Sequence, residues 1–167
     1  MPNIKKDIID NFGNRLRSRV NGVLIQDNKM LMIRHQMSAT KYFWSVPGGG
    51  MMFGEDAKEN LKREFLEETG LVIDVGEYLF VHEFLDPPLH AIELFFEVKQ
   101  TSGKLGIGID PELETDKQII KDVCFLSMEE IKKIPSDEKH ALFRRINSLN
   151  DVRIWKGYFN FENKCIK

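Results

Sequence analysis

A mixed β-sheet flanked by helices is the fold class this sequence predicts, on three observations. Short runs rich in Val, Ile and Phe fill most of the first 126 residues, one strongly punctuated helix interrupts them, and one or two further helices follow. The chain has 167 residues, 42% hydrophobic and 30% charged, which suits one domain with a real core and excludes a disordered or fibrous chain. No internal repeat and no linker rich in Pro, Gly or Ser divides it. The expected organisation is an N-terminal segment at 1–18, a domain at 19–150 and an aromatic tail at 151–167.

Residues 1–16 are polar apart from Ile4, Ile8, Ile9 and Phe12, whose spacing predicts a short amphipathic helix. Arg19 to Gln26 predicts the first strand, and Asp27-Asn28 turns it into a second, Met30 to Arg34. A third run, Tyr42 to Val46, ends at Pro47-Gly48-Gly49-Gly50, because proline and consecutive glycines break a strand. Asp56 as a cap, Glu59 as the second half of a capping box and Gly70 as a stop predict a helix over about 56–69. Val75 to Leu85 and His90 to Gln100 follow as long strands joined by Asp86-Pro87-Pro88, and the Gly-rich acidic stretch 101–117 is expected to be an exposed loop. Lys121 to Leu126 is the last core strand. Ser127 with Glu130 caps a short helix, and Pro135 precedes a longer one from about Asp137 to Leu149. The four aromatic residues from Trp155 to Phe161 fit a strand packed on the domain, or a contact within a homodimer.

A net charge of −2 offers no general attraction to a nucleic-acid polymer, so an anionic partner must be met by a few well-placed cations or by metal ions. No apolar run approaches the roughly 18 residues of a membrane span, and the N-terminus has no apolar signal core. Cys124 and Cys165 lack the short paired spacing of zinc sites. A cytoplasmic protein is expected.

The central helix carries the chemistry. At about 100° per residue, Ala57, Leu61 and Phe65 form an apolar stripe, yet Glu64 and Glu68 fall within roughly 60° of Leu61 and Glu67 lies about 120° away. Ionised groups at a core edge are unfavourable unless paired or bound to metal, and three together repel. A hard divalent cation resolves this, since Mg²⁺ takes oxygen ligands and keeps positions for water and phosphate. The alternative is a solvated helix face in which Arg63 pairs with Glu67 or Glu59.

The preceding loop bears on that choice. Gly49, five residues, Glu55, seven residues, and then Arg63-Glu64-Phe65-Leu66-Glu67-Glu68-Thr69-Gly70-Leu71 form a pattern whose chance occurrence in such a chain is on the order of 10⁻⁷. This resembles the Nudix box of the Nudix hydrolases at every fixed position, and the likeness extends over about 20–130. Phe65 stands where smaller aliphatic residues are usual, a departure that concerns packing. The resemblance implies an α/β/α sandwich around a central mixed sheet, with Glu64 and Glu68 as metal ligands joined by Glu67 and the Gly49 carbonyl. Arg63 and Glu55 would hold the loop and orient the ligands, and Gly70 would close the helix. The implied reaction is Mg²⁺-dependent attack of water on a phosphorus of a nucleoside diphosphate linked to another group, with Mn²⁺ able to substitute.

Around this box several residues are candidates with plainer alternatives. Gly48 and Gly50 let the backbone approach a metal or phosphate, although no Gly-Lys-Ser/Thr follows as in a P-loop. Arg34 is placed to meet a phosphate or to lie on the surface, and Phe43 and Trp44 to stack a base or pack in the core. The four histidines show no zinc-ligand spacing and are expected to be structural or exposed. Metal-bound carboxylates are poor proton acceptors, so the general base is expected in the acidic loop, as Glu112 or Glu114, with Glu67 the alternative. Some ADP-ribose-hydrolysing members of the family have a proline about as far beyond the box as Pro87-Pro88, which places ADP-ribose or a nucleotide sugar ahead of a nucleoside triphosphate. The rival reading is a non-catalytic nucleotide-binding module of the same fold.

Overall fold

The computed structural model describes residues 3–111 and 113–161. Its elements are α1 (Ile4–Phe12), β1 (Arg15–Val23), β2 (Ile25–Gln26), β3 (Lys29–Gln36), β4 (Tyr42–Ser45), β5 (Gly48–Gly50), α2 (Ala57–Thr69), β6 (Leu71–Asp86), β7 (Leu89–Gly103), β8 (Ile120–Leu126), α3 (Met128–Lys133), α4 (Asp151–Ile154) and β9 (Tyr158–Phe159). The expected mixed sheet is present. Its order is β5-β1-β7-β6-β9, with β1 parallel to β7 and β9 parallel to β6. A second, antiparallel sheet is built on β3, which pairs with β2, β4 and β8.

Local chemistry explains much of this. Asp27 and Asn28 adopt φ of 48° and 57°, the left-handed values a two-residue hairpin requires, and they hand β2 to β3. Strand β3 is buried on both faces: Met30 and Met32 enter one core cluster with Phe80 and Phe95, while Leu31 and Ile33 enter another with Leu61 and Phe65. Helix α2 packs against β1, β5 and β6. Ser127 and Glu130 form a complete capping box on α3.

Three expectations are corrected. Strands β6 and β7 are longer than the sequence predicts, because register shifts near Val72, Val75 and Tyr78 let pairing continue from Asp86↔Leu89 to Leu71↔Gly103. The stretch from Gly106 to Ile109 is tied down, not simply exposed. Gly106, Gly108 and Ile109 donate their N–H groups to the carbonyls of Thr69, Glu68 and Glu67, the acceptors that the end of α2 leaves unpaired. Finally, Asp137 to Leu149 is not one helix but two 3₁₀ turns, Ser136–Glu138 and Ala141–Arg144. A tertiary bond, His140 N–H to the Trp44 carbonyl, overrides helix propensity there, and the His140 ring caps the second turn locally by accepting from Leu142 N–H.

Beyond α4, Tyr158 and Phe159 pair with Val81 and His82 of β6, and Trp155 and Phe159 pack edge-on to Phe80. Cys165 lies outside the described residues. Among the described residues no helix is long and apolar enough to cross a membrane.

Candidate active site

Two caps set the phase of α2. The Asp56 side chain accepts from Lys58 and Glu59 N–H at 2.9 and 3.0 Å, and Gly70 at φ 71° closes the other end with its N–H on the Leu66 carbonyl. Glu59 does not complete a capping box; its carboxylate turns to Lys62 at 2.7 Å. With that phase, Leu61 and Phe65 are buried together with Glu64 and Glu68, which are only 8% and 6% exposed.

The glycine loop comes down on these two carboxylates. Gly48 N–H donates to Glu68 Oε2 at 2.9 Å, and a methyl group added at Gly49 would lie 2.2 Å from the Glu64 carboxyl carbon. Any side chain at 49 would displace the Glu64 carboxylate. The loop's own shape is held by Asn60, fully buried on α2, whose amide donates to the Gly50 carbonyl at 3.1 Å and accepts from Met52 N–H at 2.8 Å.

Arg63 is the local counter-charge. Its guanidinium reaches Glu55 at 3.1 Å, Glu64 at 3.1 Å and Glu67 at 2.9 Å, and donates to Asn60 at 3.1 Å. The solvated-face alternative is therefore half present, since the Arg63–Glu67 pair exists, but one cation is shared among several carboxylates. Burial, reinforced by the charge of Glu68 and opposed by Arg63, pushes the Glu64 carboxyl up to about 8. A pocket that must protonate a glutamate to tolerate itself is short of positive charge. Glu64, Glu67, Glu68 and the Gly49 carbonyl, all oxygen donors, suit a hard divalent cation.

Other sequence candidates lie at varying removes. Arg34 stands over the rings of Tyr42 and Trp44, 4.8 and 5.5 Å from their centroids, and its buried Nε has no hydrogen-bond partner. The next residue on β3, His35, brings Nε2 to 3.7 Å from Glu68 Oε1. Phe43 meets Phe84 edge-on at 6.2 Å and His140 at 6.4 Å. Glu114 is exposed and bonded to Lys117 at 2.9 Å, a hydrogen bond and charge that lower its carboxyl. Glu112 lies outside the described residues.

Sequence reasoning missed Asn60 and His35. Asn60 left a signal, an amide four residues before Glu64 and so on the same helical face. His35 left none, because its contact depends on how β3 lies beside α2. His82, Glu93 and His140 were missed as a group: all three are buried, with donor atoms within 4.8 Å of one another.

Comparison with known proteins gives the family and the fold. The NUDIX domain family matches residues 15–145. An ADP-ribose pyrophosphatase of Methanocaldococcus jannaschii is 30% identical over 140 residues, covering 83% of this chain and 73% of that protein. An RNA pyrophosphohydrolase of Sphingopyxis alaskensis is 26% identical over 125 residues, 68% of this chain and 79% of the other. The crystal structure of a MutT protein from Methanosarcina mazei shares the fold with a TM-score of 0.62 at 19% identity, covering 79% of this chain and 90% of that one.

Proposed function

The chain belongs to the Nudix hydrolase family and is a pyrophosphohydrolase; from that premise we propose that it hydrolyses, with Mg²⁺, a nucleoside diphosphate linked to another group, ADP-ribose or a nucleotide sugar before a nucleoside triphosphate. The observation that carries the reading is the close approach of Gly49 to Glu64: a Cβ at residue 49 would lie 2.2 Å from the carboxyl carbon of the buried glutamate. ADP-ribose stands first because the relative from Methanocaldococcus jannaschii is an ADP-ribose pyrophosphatase. We place the protein in the cytoplasm, on its sequence alone.

Glu64, Glu68, Glu67 and the Gly49 carbonyl would hold the divalent ion. When bound, such an ion screens phosphate charge, lowers the pKa of a water and stabilises the leaving oxygen. Glu64 would have to be ionised to serve as a ligand. Gly48 N–H keeps Glu68 turned toward the loop, and Arg63 keeps Glu64 and Glu67 from swinging apart. Arg34 serves a substrate phosphate, Gly48 and Gly50 allow the close approach of the substrate, and Phe43 flanks the base. A loop carboxylate, Glu112 or Glu114, accepts the proton of the attacking water.

A binding module without catalysis has no chemical need for Arg63, Glu64, Glu67 and Glu68 around one glycine loop. The test is a product screen with ADP-ribose, nucleotide sugars, dinucleoside polyphosphates and triphosphates in ¹⁸O-labelled water with Mg²⁺ or Mn²⁺. ADP-ribose should yield AMP and ribose phosphate with label in one of them. No turnover of any diphosphate returns the binding module, and label only in orthophosphate means phosphomonoester cleavage.

A further inference from the structure

The register of the mixed sheet lines up one row of residues across all five strands: Phe159 of β9, His82 of β6, Glu93 of β7, Arg19 of β1 and Gly50 of β5. The three central side chains meet. Glu93, 5% exposed, receives His82 Nδ1 at 3.1 Å and His140 Nε2 at 2.7 Å on one oxygen and faces Arg19 Nε at 3.8 Å with the other. Arg19 in turn donates from Nη2 to the Gly48 carbonyl at 3.3 Å. The row therefore ends on the peptide between Gly48 and Gly49, the two residues that touch Glu68 and Glu64. Gly48–Gly50 pair with β1 but have no side chains of their own, and the Arg19 bond adds a side-chain hold on the Gly48 carbonyl.

Two histidines and a glutamate so close together also match a metal site, but the outer ring nitrogens decide otherwise. His82 Nε2 accepts from Phe161 N–H at 3.3 Å, and His140 Nδ1 accepts from Leu142 N–H at 3.2 Å. A backbone N–H only donates, so each outer nitrogen carries a lone pair and each neutral ring has its hydrogen on the nitrogen turned to Glu93. A metal would need a lone pair there. Burial alone would raise the Glu93 carboxyl, and the ring hydrogens of His140 and His82 and the Arg19 guanidinium oppose that rise. It stands as an anion that two neutral donors and one cation satisfy.

The structure assigns Glu93 as a positioning residue that, through Arg19, holds the Gly48–Gly49 peptide against the glutamate cradle, with His82 and His140 serving it as neutral donors. This rests on the pyrophosphohydrolase reading of the cradle. The test is a double-mutant cycle of Glu93→Gln and Arg19→Gln, read as kcat and KM for ADP-ribose and, separately, as the Mn²⁺ dissociation constant by calorimetry. Each single variant should lower kcat about ten- to a hundredfold with KM within about threefold, and weaken Mn²⁺ binding. The double variant should be no worse than the worse single. Effects that multiply in either readout would mean that Glu93 does not act through Arg19, and would overturn the assignment. Long-range ¹H–¹⁵N spectra of the wild-type protein should show His82 protonated on Nδ1 and His140 on Nε2. An imidazolium, or the opposite tautomer at either ring, would also overturn it, whether or not the Glu93 variant folds. If the wild-type protein turns over no diphosphate, the functional reading fails, while the Mn²⁺ cycle and the spectra still judge the row.

Discussion

Gly48 and Glu68, twenty residues apart in the chain, meet in a 2.9 Å hydrogen bond from the glycine N–H to a carboxylate that is almost fully buried. The bond closes the loop onto α2 and seats the next residue, Gly49, against Glu64. A side chain at 49 would have to move the Glu64 carboxylate.

Gly49→Ala should therefore abolish turnover, by at least about a hundredfold, while costing only about 1–3 kcal/mol of stability, the usual effect of forcing one methyl into a packed site. Its Cβ would start 2.2 Å from the Glu64 carboxyl carbon and push ligand and carbonyl apart. Steady-state kinetics and thermal melts on the same preparation check this. An alanine variant with wild-type kcat would place the metal elsewhere.

The raised carboxyl of Glu64 makes metal-free stability depend on pH with a definite sign. Its folded-state value, about 8, lies above the ordinary 4.5, so its contribution is fully present below about pH 4.5 and is lost as pH climbs toward 8. The loss amounts to a few kcal/mol. Denaturant melts in EDTA between pH 5 and 8 should show the decline, and Glu64→Gln should flatten it. At pH 8 the Gln variant should be at least as stable as wild type without metal, yet slower in turnover by orders of magnitude. Saturating Mg²⁺ should raise the stability of the wild type alone.

Phe65, the one unusual residue of the box, has its space prepared by Gly22 on β1. A methyl group added at Gly22 would lie 2.4 Å from the ring. Gly22→Ala and Phe65→Leu should each destabilise by about 1–3 kcal/mol, the first by overpacking and the second by leaving a void. Combined, they should cost clearly less than their sum, with a coupling of about 1 kcal/mol or more in urea melts. Strict additivity would show that the two sites do not share that space.

For the general base, pH–rate profiles of Glu112→Gln, Glu114→Gln and Glu67→Gln at saturating Mg²⁺ discriminate. One loop variant should lose the acidic limb of kcat with a drop of about a hundredfold or more, as removal of a proton acceptor gives. The stretch that precedes these carboxylates is anchored to the end of α2 through Gly106, Gly108 and Ile109. If both loop variants keep the limb and turnover, Glu67 is the base.

What the sequence by itself determined about this protein lies in short-range chemistry. Asp56 and Gly70 delimit α2, Asp27-Asn28 make the hairpin, Ser127 and Glu130 cap α3, and the spacing from Gly49 to Leu71 carries the family and the cradle's glutamates, because each depends on residues within a few turns or on one repeated pattern. Only the tertiary structure decided that His35 reaches Glu68, that Gly22 opposes Phe65, and that His82, Glu93 and Arg19 fall in one row with His140 bonded to Glu93 from outside the sheet. It also decided that residues 137–149 fold as 3₁₀ turns, since Trp44, far back in the chain, claims the backbone of His140. Such contacts join residues many positions apart, and they are set by the register of strands, where a shift of one residue would turn every side chain to the opposite face.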